Sequence, residues 1–477
     1  MRAFATRLRA AAACALAATL LLWPALWNGF PLFFFDSVDY LGIALGEPLV
    51  LYRTLPYSAF LVAAGVRLEL WPVLVVQALL AVWLLREALL VFAPGAAERR
   101  LLPLTAMLAA TSGLPWYVSQ FMPDVFTGLA PLGLLTLAYG RGRLPRWRRI
   151  LLVLLTALAV AMHSTHLLVA AGLLAVGGLA GWWLRRRPQG RPTLAAPGTA
   201  VALAVVLILG THWLWLGRPV LNQASPVFLL AQLLEQGLAQ RHLQVLCPGL
   251  QLRLCPLQDA VFASANDFLW GEPAPSVRSL GGWAAIRDEA ALVVTGTLRA
   301  YPLEFLRHAL GNALRQGLMF KTGDGLPPQG YPLPELLAHH FPALYPAFTR
   351  GRQQQGIDFD FLNRWQPVLQ GGALLGTLVA TILAWRRARF ELAGLGAGVL
   401  LALAGNALVC GAFSTVDDRY QNRLVWLALL VCSTGRAWQA QRSGHGGVAG
   451  AAPRPGVDHG LYHGGQRNGE EHPPEAP

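Results

Sequence analysis

The chain has 477 residues, of which 55% are hydrophobic and only 13% are charged, and its mean hydropathy is +0.44. Water-soluble globular proteins rarely reach these values, so the composition predicts an all-α polytopic membrane protein. The net charge of +13 would suit a nucleic-acid partner. The arginines, however, cluster in short segments between apolar runs, as in cytoplasmic loops of membrane proteins, and we expect no nucleic-acid partner. The clusters are Arg141–Arg149, Arg185–Arg191 and Arg386–Arg389.

The first apolar run, 11–30, follows Arg2, Arg7 and Arg9. It is too long for a typical signal-peptide core, and no good cleavage site follows it. We therefore expect an uncleaved first transmembrane helix with a cytoplasmic N-terminus. The next loop, 31–57, then lies on the outer face, which we expect to be the periplasmic side of a bacterial inner membrane.

This loop is a polar and aromatic part of the N-terminal membrane module, 1–216. Asp36 and Asp39 stand three residues apart, so on a helical turn they share one face. Tyr40, Arg53 and Tyr57 follow in the same loop. Carboxylates, a guanidinium and phenols at a membrane edge suit a phosphorylated or hydroxylated ligand, and ordinary solvation of a loop is the alternative.

Segment length and arginine placement predict the other spans of this module. They are Trp71–Phe92, 101–118, 121–139, a helical hairpin over 150–184, and 196–216. The apolar stretch 58–70 is too short to cross and is expected to be re-entrant or interfacial. By this count Asp124, and His163 with His166 at the hairpin tip, lie on the same outer face as the first loop.

Each of these polar residues also has a structural interpretation. Asp124 follows a proline and could be a helix N-cap. His163 and His166 could cap the hairpin and bond to its backbone. Asp417 and Asp418, directly before Arg419, could form a tight turn, because aspartate favours turns.

Residues 217–363 contain no convincing span and hold 11 of the 25 acidic residues, so we expect an external, mostly helical periplasmic domain inserted before the last three spans. Cys247 and Cys255 would pair in an oxidising compartment, with two free thiols as the alternative. The C-terminal helices, 364–440, complete about ten crossings. The tail, 441–477, is rich in Gly, Pro and His, and we expect it to be disordered in the cytoplasm.

Four segments resemble one known group of membrane enzymes. They are FFFDSVDYL in the first loop, RTLPYSAFL after it, MPDVFTGL at the fourth predicted span, and DDRYQNRLVWL at the last. In these segments the chain resembles the integral-membrane glycosyltransferases of the GT-C superfamily, which includes protein O-mannosyltransferases and lipid A aminoarabinose transferases. The likeness covers mainly 20–184.

The resemblance implies an inverting transfer of a sugar from a polyprenyl-phosphate donor to a lipid, glycan or protein acceptor. It assigns the general base to Asp36, with Asp39 as the nearest substitute and Asp124 as an assisting acid. The departing phosphate is an anion, which arginines bind well. The predicted substrate-binding residues are Tyr40, Arg53, Tyr57, His163, His166 and Arg419.

Membrane lipids are the other expected partners. No metal site or required cofactor is predicted, although two acids and the histidines could hold a divalent cation. A transporter or flippase of lipid-linked intermediates is the alternative, and it would usually show internal repeats and broken helices at mid-membrane. A non-catalytic scaffold that presents the external segment is the third hypothesis.

Overall fold

The computed structural model of the protein describes residues 2–186, 190–271 and 275–443. The chain divides into two compact units, Met1–Ala437 and Trp438–Pro477, and every contact reported below lies within the first. The tail predicted to be disordered, 441–477, lies outside the described residues from 444 onward.

The regular structure of the described residues is helical, as the composition predicted, with one isolated bridge between Leu32 and Gln120. The first eleven helices are α1 Arg2–Leu21, α2 Trp23–Asn28, α3 Ser37–Leu45, α4 Leu55–Ala63, α5 Trp71–Phe92, α6 Ala97–Thr111, α7 Leu114–Val118, α8 Val125–Tyr139, α9 Arg146–Ala161, α10 Ser164–Trp183 and α11 Ala195–Leu216. The next eight are α12 Ser225–Glu235, α13 Leu238–Leu246, α14 Ala265–Trp270, α15 Trp283–Ala300, α16 Pro302–Gln316, α17 Leu333–His340, α18 Tyr345–Arg350 and α19 Arg352–Gln355. The last three are α20 Asp360–Arg386, α21 Phe390–Phe413 and α22 Asp418–Ser443.

Five of the described helices are long and apolar enough to cross a membrane: α5, α10, α11, α20 and α21. Helix α5 has the predicted bounds, and the predicted hairpin is formed by α9 and α10, with its break at Met162 and His163. These apolar helices indicate a membrane protein. Several other predicted spans are shorter, among them α6 and α8. The count of about ten crossings therefore stays a prediction.

The segment 217–363 contributes to two hydrophobic cores. Helices α12 to α15 surround a core whose buried members all fall within 227–294. Helices α17 and α18 instead place Leu333, Leu337 and Phe348 in the large core that the membrane helices build. Cys247 and Cys255 form the predicted disulfide. The position of this segment outside a membrane stays a prediction.

One buried glutamine fixes the backbone of the first loop. The Gln353 side-chain amide donates to the Phe33 carbonyl at 2.6 Å, and its Oε1 accepts from the Phe33 N–H at 3.1 Å. The Gln353 N–H donates to Asn28 Oδ1 at 2.7 Å. Gln353, about 320 residues later in the chain, therefore holds the loop backbone in place just before Asp36. Its side chain also gives the buried backbone groups of Phe33 the hydrogen-bond partners that they need.

Glycines let α21 approach its neighbours closely. A Cβ added at Gly398 would lie 2.3 Å from the Leu135 side chain on α8. At Gly411 the close neighbour is backbone, since an added Cβ would lie 2.6 Å from the Ala313 nitrogen on α16. On the same helix, Asn312 Nδ2 donates to the Gly411 carbonyl at 3.1 Å. Small residues permit such backbone contacts between helices.

We predict that Gly411→Ala lowers the thermal unfolding midpoint, with a loss of stability of about 1–3 kcal/mol, because backbone cannot move aside as a flexible side chain can. Gly405→Ala on the same helix is the matched control, since an added Cβ there meets no atom within 4 Å. It should be neutral or slightly stabilising. Equal midpoints for the two variants in the same lipid nanodiscs would contradict the prediction.

Candidate functional site

The first-loop acids share a single counter-ion. Helix α3 begins directly after Asp36, so Asp36 and Asp39 lie at its N-terminal end, where the helix dipole favours negative charge. Arg53, just ahead of α4, places Nη2 2.5 Å from Asp36 Oδ1 and Nε 2.8 Å from Asp39 Oδ2. Arg53 was predicted to bind phosphate, and the structure gives it the two acids as partners.

Aromatic side chains enclose this ion triad. The guanidinium of Arg53 lies 4.9 Å from the ring centroid of Tyr52 and 5.7 Å from that of Tyr40, distances at which cations and aromatic rings attract. Burial raises the pKa of Asp39 above its ordinary value, and the opposing effect of Arg53 does not cancel it. Removal of water from around the Asp39 carboxyl therefore affects its pKa more than the nearby positive charge does.

Asp124 forms a buried ion pair with a residue of the last helix. It occupies the N-cap position of α8, but its side chain makes no capping hydrogen bond. The interpretation of Asp124 as a helix N-cap required such a bond. Instead Arg423 Nη1 donates to its Oδ1 at 2.8 Å, and Arg419 Nε lies 4.0 Å from the same oxygen. Asp124 and Arg423 are 2% and 3% exposed.

Arg419 has hydrogen-bonding capacity to spare. It is 8% exposed, and its guanidinium carbon lies 3.7 Å from the ring centroid of Phe34. Within the described residues, its Nε and Nη1 donors have no hydrogen-bond partner. Buried polar groups are normally satisfied, so these donors point to a missing acceptor such as an anion.

His163, His166 and Tyr57 form hydrogen bonds within the protein. His166 is buried, with Nε2 2.8 Å from Thr127 Oγ1 and Nδ1 2.8 Å from the Ala159 carbonyl. His163 caps α10 by accepting from the N–H two residues later, as the hairpin-cap interpretation proposed. Tyr57 is buried and donates to Gln77 Oε1 at 2.9 Å. Of these three, only His163 reaches a large cavity.

Two large cavities meet at the acids and arginines. The first, here called the apolar cavity, has a volume of about 470 Å³. Its apolar lining includes Leu168, Phe228, Leu229, Val294, Val409 and Phe413. The second, called the polar cavity, has a volume of about 650 Å³. Its polar lining includes Asp36, Asp39, Gln232, Asn266, Asp324 and Asp417. The wall common to both contains Asp36, Tyr52, Arg53, Phe228, Ser414, Arg419 and Tyr420.

Sequence analysis missed two of the charged residues at this site. Arg423 lies four residues after Arg419, a spacing that puts both on one face of α22 and could have been noticed. Asp324 lies between Gly323 and Gly325, whose φ angles of +102° and +70° are in the left-handed region. Burial, helped by the neighbouring Asp417 carboxyl, raises the pKa of Asp324 to about 7, and Arg419 opposes this shift without cancelling it.

Comparison of the chain with protein-family models, curated proteins and solved structures finds no match. Among the described residues no three His, Cys, Asp or Glu side chains converge in a way that could hold a metal ion.

We predict that Asp124→Asn destabilises the protein by about 3–5 kcal/mol, because it leaves Arg423 buried without its counter-ion. Thermal or denaturant unfolding in nanodiscs measures the loss. Asp288→Asn is the control, since Asp288 pairs with Arg287 at 2.9 Å on an exposed surface, where such pairs contribute at most about 1 kcal/mol. Equal effects of the two substitutions would show that the Asp124 pair is not structural.

We also predict a pH-dependent effect of Asp324→Asn. The folded protein holds the Asp324 proton more tightly than the unfolded chain, so the stabilisation is complete below about pH 4 and is lost as pH rises towards about 7. Asparagine has no carboxyl group to ionise, so the variant does not lose stability in this way as pH rises. The unfolding midpoint of the variant minus that of the native protein should therefore increase between pH 5 and about pH 7 and then level off. A difference that does not vary with pH would contradict the prediction.

Proposed function

We propose that the protein is a membrane glycosyltransferase of the GT-C type, which moves a sugar from a polyprenyl-phosphate donor to an acceptor in an inverting reaction. The observation that carries the proposal is Arg419, whose buried and unpartnered donors lie on the wall that both cavities share. A phosphate bound there would stand between an apolar and a polar cavity. That is the arrangement required to join a lipid-linked donor to a polar acceptor.

The apolar cavity fits the lipid half of the donor. Leu168 near the start of α10 and Phe413 at the end of α21 line it, and they are 52% and 43% exposed. Both helices are among the candidate spans. An isoprenoid chain could therefore leave the cavity between two membrane helices while its phosphate stays at Arg419, since burial of the chain is driven by the hydrophobic effect.

Asp36 is the proposed general base. It lies on the shared wall, where Arg53 Nη2 is 2.5 Å from its Oδ1. In the reaction the acceptor oxygen bonds to the anomeric carbon and its proton passes to Asp36. The bond from that carbon to the phosphate oxygen breaks, and the electron pair stays on the phosphate, whose charge Arg419 stabilises.

The proposal includes the predicted topology. The site would face the periplasm of a bacterial inner membrane, with both termini in the cytoplasm. The disulfide between Cys247 and Cys255 supports an oxidising compartment for that segment, because such bonds persist there and are rare in the cytosol.

We predict that Asp36→Asn lowers the rate of sugar transfer by about 10²–10⁴, because asparagine keeps the shape of the side chain and cannot accept the proton. The assay uses purified protein in nanodiscs with a panel of radiolabelled polyprenyl-phosphate sugars, and it measures transfer and hydrolysis. Asp288→Asn, on an exposed surface, should retain native activity.

Two outcomes would contradict this function. A native protein that is inactive with every donor, or an Asp36→Asn variant as active as the native protein, would exclude Asp36 as the base. Movement of the same lipid-linked sugars across vesicle membranes, without transfer, would favour the transporter hypothesis.

A further inference from the structure

A buried amide faces the polar cavity without any partner. Gln232 on α12 is 1% exposed, and neither its Oε1 nor its Nε2 has a hydrogen-bond partner within the described residues. Buried polar groups are normally satisfied, so this amide is expected to be completed by a ligand or by water. A hydroxyl group can both donate and accept, and it therefore matches both atoms of this amide.

The carboxyl groups of the same cavity require donors on the ligand. Asp324 and Asp417 line the cavity, and Asp324 Oδ2 is buried with no hydrogen-bond partner in the part of the chain that the structure describes. The loop that carries Asp324 is rigid, since the Thr322 N–H donates to Asn363 Oδ1 at 2.8 Å and a Cβ at Gly325 would fall within the ring of Phe34. An ionised carboxylate only accepts hydrogen bonds, and a protonated one both donates and accepts, so this part of the cavity fits uncharged hydroxyl groups.

Aromatic faces complete the cavity. Trp270 and Phe35 line it and are 47% and 59% exposed. The Trp270 ring is fixed by an edge contact with Tyr52, at 5.2 Å between ring centroids. A rigid, exposed aromatic ring beside hydrogen-bonding groups presents a flat apolar surface and a polar rim together, which is what binding of an amphipathic ring requires.

We propose that the polar cavity is a carbohydrate subsite: an uncharged sugar stacks on Trp270 while its hydroxyls bond to Gln232 and to the Asp324 and Asp417 carboxyl groups. A sugar is the ligand class that offers many hydroxyl donors and an apolar ring face at once. Combined with the proposed function, on which this step rests, the acceptor is a glycan and not a protein side chain or a simple lipid.

The experiment is saturation-transfer NMR on the native protein in nanodiscs with maltose, cellobiose and lactose as probes. We expect transfer to ring protons of at least one of these sugars, and binding about tenfold weaker in Gln232→Leu and in Trp270→Ala. Trp270 is exposed, so its variant tests the subsite even if the buried Gln232 variant does not fold. Trp213→Ala is the matched control, because Trp213 is 62% exposed and lines neither cavity.

The subsite is overturned if no sugar binds above empty nanodiscs, or if Trp270→Ala and folded Gln232→Leu bind sugar as the native protein does. It is also overturned if a Ser- and Thr-rich peptide binds in a Trp270-dependent way and no sugar does. Sugar binding needs neither donor nor catalysis. If the protein binds sugar but has no transfer activity, the subsite is supported and the proposed function is rejected. Failure of the subsite and failure of the proposed function can therefore be told apart.

Discussion

The buried ion pair between Asp124 and Arg423 is the interaction on which the site depends. It joins the start of α8 to the last helix, residues almost 300 positions apart in the chain, at 2.8 Å. A buried charge without its partner is costly, so neither residue can be removed alone. The pair also fixes the register of α22, and one turn earlier on the same helix Arg419 is thereby brought against Phe34 of the first loop.

A division of labour among the arginines follows from this packing. Arg53 is held by two carboxylates and organises the first loop, and Arg423 neutralises Asp124. Among the described residues, Arg419 has two buried donors without a hydrogen-bond partner and lies on the wall of both cavities, whereas Arg423 has one such donor, Nε, and lines the apolar cavity. Three side chains of the same type thus differ in role because their surroundings leave them different numbers of free donors, and this difference supports an anion site at Arg419.

The segment 217–363 completes the site from several directions. Gln353 pins the first-loop backbone, Asp324 and Gln232 line the polar cavity, and α15 contributes Val294 to the apolar one. Since α16 also packs backbone to backbone against α21 at Gly411, this segment and the membrane helices form one continuous structure around the two cavities.

The sequence by itself determined the helical class and the bounds of α5, and it predicted the hairpin break near His163 and the disulfide, because apolar length and cysteine spacing are local properties. The roles of Asp36, Asp39 and Arg419 stay predictions. Which arginine pairs with which acid was decided only by the tertiary structure. Arg423 and Asp124 are partners although 299 positions separate them in the chain, and no local sequence pattern indicates such a contact. The unsatisfied amide of Gln232 has no sequence signal at all, since its meaning comes from the cavity that the fold places in front of it.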